Sequence, residues 1–71
     1  MSHFQTAVAE FREAVEELED AGVPDQAEDF LRSVTGKVDA IEESVGRSGR
    51  PTDAQTRAIE NMTTGVRKWL R

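Results

Sequence analysis

Apolar residues near the start of the chain, Phe4, Val8, Phe11, Val15 and Leu18, recur at intervals of 4, 3, 4 and 3. That rhythm keeps them on one stripe of an α-helix, whereas a strand would require strict alternation. The rhythm returns twice. Ala27, Leu31, Val34, Val38, Ile41 and Val45 follow it with Phe30 on the flank; Ile59, Met62, Val66 and Trp69 follow it again, widened by Ala58, Gly65 and Leu70. Three amphipathic helices of this kind can hide their stripes only against one another.

Each stripe is preceded by a start signal. Ser2 and Gln5, Asp25 and Glu28, and Thr52 and Gln55 all have the spacing of a capping box, in which one side chain accepts from a backbone N–H and the other reaches back. Pro51 biases its predecessor away from helix, and Asp53 favours the positive end of the helix that follows. In the stretch GRPTDAQTRAIENM these features together read as a helix start rather than a site. Gly22-Val23-Pro24 ends the first segment. The spacing predicts one domain over residues 1–71, with helices at about 2–20, 25–45 and 53–70 and a flexible loop at 46–51.

The expected fold class is all-α, a small antiparallel three-helix bundle; the alternative is a helical hairpin that dimerises with a docked or exchanged third helix. A chain of 71 residues buries only about 60% of the surface its unfolded form exposes, which makes its stability marginal and keeps a homodimer among the expectations. Ala7, Ala14 and Ala21 repeat every seven residues beside the first stripe, where small side chains let a neighbouring helix come close. Gly65 lies next to its stripe and is read the same way. Gly36 lies away from its stripe and costs about 1 kcal/mol relative to alanine. It is read as a tolerated glycine or slight kink, with close approach of a partner's backbone as the alternative.

Composition removes several kinds of chemistry. No cysteine is present and His3 is the single histidine, so no thiolate metal site, disulfide or histidine-based nucleophile is expected. Glu-x-x-His pairs of the di-iron bundles are missing, as are Walker-type and GxGxxG phosphate loops. GRSGRP has two arginines and two glycines that could hold a phosphate, but so weak a pattern reads first as a solvated linker. The expectation is a protein that is not an enzyme, with no cofactor and no metal. The first residues, MSHFQTAVAEF, do not have the form of a secretion signal, and no run approaches the roughly 20 apolar residues of a membrane span. A soluble, cytoplasmic protein is expected.

The net charge of −5 conceals an asymmetry. Residues 1–46 carry 12 acids against 3 bases, whereas residues 47–71 carry 2 acids against 6 bases. Within the first helix Glu10, Glu13, Glu17 and Asp20 recur at 3, 4 and 3 opposite the apolar stripe, with Glu16 and Glu19 beside them and only Arg12 to offset them. Like charges at this spacing repel by a few tenths of a kcal/mol per pair. Rises of about 1.5 Å per residue set them roughly 5 Å apart along the axis, comparable in order to phosphates along a nucleic-acid strand. An ordinary solvated helix face, or pairing with the basic third helix, accounts for the same pattern without any partner.

The leading functional expectation is therefore a small acidic adaptor, regulator or inhibitor that binds another protein through Glu10, Glu13, Glu17 and Asp20, occupying a basic or nucleic-acid-binding surface of that partner. The alternative is a nucleic-acid-associated module built on Arg47, Arg50, Arg67, Lys68 and Arg71, with Trp69 stacking on a base. Cations in a last helical turn are also favoured by the helix dipole, and the register of Trp69 places it in the core. A self-assembling helical subunit is the third reading.

Overall fold

A computed structural model describes residues 3–70 of the protein. They form α1 (His3–Ala21), α2 (Asp25–Ser48) and α3 (Asp53–Lys68), an all-α three-helix bundle in which consecutive helices run antiparallel. α3 docks on α1 of its own chain. At about 1.5 Å per residue, the 24 residues of α2 span the full 36 Å length of the molecule.

The start signals differ in what they do. At α3 the capping box is complete: the Gln55 N–H donates to Thr52 Oγ1 at 3.1 Å, and the Thr52 N–H donates to Gln55 Oε1 at 2.9 Å. At α2 the expected Asp25–Glu28 capping pair does not form. Pro24 takes the cap position instead, with no side-chain bond; its extended backbone points its carbonyl at the Ala27 N–H, 2.9 Å away. Asp25 and Glu28 thus lie inside the first turn, where negative charge is favoured by the dipole. The Ser2–Gln5 pair falls outside the described residues.

α2 also runs three residues past its expected end, through Gly46 and Arg47 to Ser48, so only 49–52 remain as a connection. Gly49 stops it: with φ of 77° it adopts the left-handed conformation that glycine tolerates, and its N–H caps the Val45 carbonyl at 2.7 Å. Gly22, at φ of 97°, does the same for the exit from α1. α3 ends earlier than expected, at Lys68, where the Trp69 and Leu70 N–H groups tighten to carbonyls three residues back.

Phe4, Ala7, Phe11, Ala14 and Leu18 of α1 meet Val34 and Val38 of α2 and Ile59 and Val66 of α3 in one core. Val8 and Val15, two members of the predicted stripe, are only half-buried, and Ala7 and Ala14 take the centre. Small residues there fit the close approach of α1 to α3, whereas α1 and α2 stand further apart. Ala21 is exposed, beyond the contact. In α3, Thr63 is buried and its hydroxyl donates to the Ile59 carbonyl at 3.0 Å, which satisfies it without a partner helix. Trp69, expected in the core, is 37% exposed: it caps the C-terminus of α3 and lines an open groove with Phe30 and Gly65 rather than joining the core.

Candidate functional site

Glu10, Glu13, Glu17 and Asp20 all lie on the exposed side of α1, as their spacing demands once Phe4, Phe11 and Leu18 point inward. Glu17 reaches across to α3, where Arg67 Nη1 donates to its Oε2 at 3.3 Å. Pairing between the acidic helix and the basic one thus occurs at one member of the row. Among the described residues, Glu10, Glu13 and Asp20 have no ion pair.

Arg12, the one base in α1, does not serve the row. Its guanidinium turns to α2, where Nη2 donates to Asp39 Oδ1 at 2.8 Å and also to Glu42 Oε1, while the group lies 5.9 Å from the centre of the Phe11 ring. These partners raise the Arg12 pKa above its ordinary value. The hydrogen bond to Asp39 contributes most, and partial burial opposes the shift. α1 and α2 are tied together by a cation that the sequence would assign to local compensation.

Among the described residues the basic candidates fall into two groups, one at each end of α3. Arg47 sits in the last turn of α2 and Arg50 in the connection after it, at the end of the bundle where α3 begins. Arg67 and Lys68 sit at the far end of α3, roughly 24 Å away for a helix of 16 residues. Arg71 lies outside the described residues. Arg67 is engaged by Glu17, and Lys68 borders a groove of about 510 Å³ walled by Phe30, Gly65 and Trp69. The floor of that groove explains Gly65: a Cβ there would sit 2.8 Å from Phe30 Cζ.

A larger open groove, about 610 Å³, runs between the C-terminal half of α1 and the N-terminal half of α2. Val23, Leu31 and Gly36 supply its less polar wall, and Glu19, Glu28 and Asp39, with Arg32 among them, its charged edge. It lies between α1 and α2, which stand further apart than α1 and α3 do. Sequence reasoning did not find it, since the divergence is set by which faces the three helices share. Its one legible trace is Gly36. A Cβ built at Gly36 meets nothing within 4 Å, so no packing inside the chain requires a glycine there.

His3 lies at the opposite end, in a shallow cleft with Asp53, Thr56, Arg57 and Glu60. Among the described residues no group of His, Asp and Glu has the arrangement of a metal site, and no helix is long and apolar enough to cross a membrane. Comparison with protein-family models, with curated proteins and with solved structures returns no match.

Proposed function

We propose that this protein is a non-enzymatic helical adaptor, regulator or inhibitor that binds a basic surface of another protein with the outer face of α1. The observation that carries this reading is the commitment of Arg12 to α2, which leaves Glu10, Glu13 and Asp20 uncompensated on a rigid, exposed helix. Exposed carboxylates held at fixed spacing steer a cationic partner and select its register, while individually adding little affinity. Their axial spacing, comparable in order to that of nucleic-acid phosphates, suits a partner surface that otherwise holds a nucleic-acid backbone. Binding rather than catalysis also agrees with a chain that has one histidine and no cysteine.

The test is capture from lysate of the source organism with the wild-type chain and with a variant in which Glu10, Glu13, Glu17 and Asp20 are changed to lysine, each with and without nuclease. The expected result is one basic protein held by the wild type despite nuclease and lost by the variant. Equal recovery by both chains, or recovery that needs intact nucleic acid, overturns the reading.

A further inference from the structure

The groove between α1 and α2 has features that the helix-packing account does not use. Gly36 stands in the interior of α2, where glycine is unfavourable by about 1 kcal/mol against alanine, yet the space over it is open. The contrast with Gly65 is direct, since there the Phe30 ring occupies the place of a side chain. At Gly36 nothing inside the chain occupies that space. Thr35 beside it is also small, and Val23 and Leu31 present apolar surface on the same wall.

Acids outnumber bases on the groove's wall, Glu19, Glu28 and Asp39 against Arg32. Residues 13–35 carry eight acids and a single base, Arg32. Arg32, itself on the groove's wall, stands 3.8 Å from Asp29 with its side chain largely exposed, and Arg12 pairs with Asp39 at the groove's end. Glu19 and Glu28, on facing helices across the opening, have no ion pair among the described residues.

We infer that this groove seats an amphipathic helix bearing lysine or arginine, whose backbone comes close over Gly36 while its cations meet Glu19 and Glu28 and its apolar side chains meet Val23 and Leu31. Docked so, the segment stands beside α1 and α2 as a fourth helix. Small residues at a crossing are what permit backbones to approach in this way. The inference rests on the proposed binding of a basic partner and names the place and the form of that partner.

The experiment titrates the full chain, isotope-labelled, with an amphipathic helical peptide of lysine and leucine, and follows the backbone amide signals. The wild-type signals of Val23, Leu31, Thr35 and Gly36 are expected to move together. Gly36→Leu supplies the second arm. Its helix is more stable than the wild type, so its melting temperature rises, while its binding of the peptide weakens by at least about tenfold, as for loss of a central contact. The inference is overturned by Gly36→Leu binding as the wild type does, by shifts in those amides that follow protein concentration without peptide and so indicate a second copy, or by no shift at all. Shifts confined to Glu10 and Glu13 also overturn it, but leave the proposed use of the α1 face standing.

Discussion

Two glycines inside helices carry opposite information, and alanine at each reads it out. Gly36→Ala should stabilise the protein by about 1 kcal/mol, because helix propensity is gained and nothing is displaced. Gly65→Ala gains the same propensity but must push the Phe30 ring away, so its net gain should be smaller or negative. In a Phe30→Ala background the two substitutions should converge, a coupling that thermal or denaturant melts of the four variants can measure. Equal effects of Gly36→Ala and Gly65→Ala with Phe30 in place would contradict the packing described. Trp69 and Ile59 form a second contrast. Ile59 has no exposed surface and its truncation to valine should cost about 0.5–1.5 kcal/mol, whereas Trp69, in the half-open groove beside Phe30, should shift little on truncation relative to its size. Arg12 remains charged at any working pH. A raised base pKa keeps its stabilising contribution fully present below the ordinary value and loses it only as pH climbs through the raised one, far above neutrality.

The helices were legible in the sequence wherever local chemistry decides. The 4–3 rhythm located all three, and Thr52 with Gln55 marked the start of α3 to the residue. Other features depend on information that spacing does not hold. Asp25 has the spacing of a cap but Pro24 preceded it, and a proline already extended fills the cap position with no side chain involved. Thr52→Ala should therefore cost about 1 kcal/mol, and Asp25→Ala only the few tenths of a dipole contact; equal losses in parallel melts would mean that α2 is capped by its side chain after all. Thr63 reads as polar, yet its bond to the Ile59 carbonyl satisfies its hydroxyl and lets it be buried. The acidic row on α1 was legible as a pattern. The turn of Arg12 toward Asp39 and Glu42 was not, because it depends on which helix lies beside α1, and the groove over Gly36 depends on how far apart α1 and α2 stand.

The whole molecule is a small bundle whose acids outnumber its bases by five and are crowded into its first two helices. The ion pairs among the described residues, Arg12 with Asp39 and Glu42, Arg32 with Asp29 and Arg67 with Glu17, are all solvent-exposed and individually weak, so repulsion among the remaining carboxylates outweighs them. Moderate salt should accordingly raise the melting temperature, and a fall would mean that the pairs dominate. Arg47 and Arg50 are separated from Arg67 and Lys68 by the length of α3, while the acid-rich parts of α1 and α2 meet at one end and flank a groove. The groove at that acidic end is the proposed seat of a cationic helical partner. The most direct test is the association rate of the lysine–leucine helix with the wild-type chain across ionic strength, compared with a chain carrying Glu19→Lys and Glu28→Lys. The wild-type rate is expected to fall steeply as salt is added, and the variant's to be lower and nearly flat; a wild-type rate indifferent to salt, or a variant that associates as fast, would contradict binding at that groove.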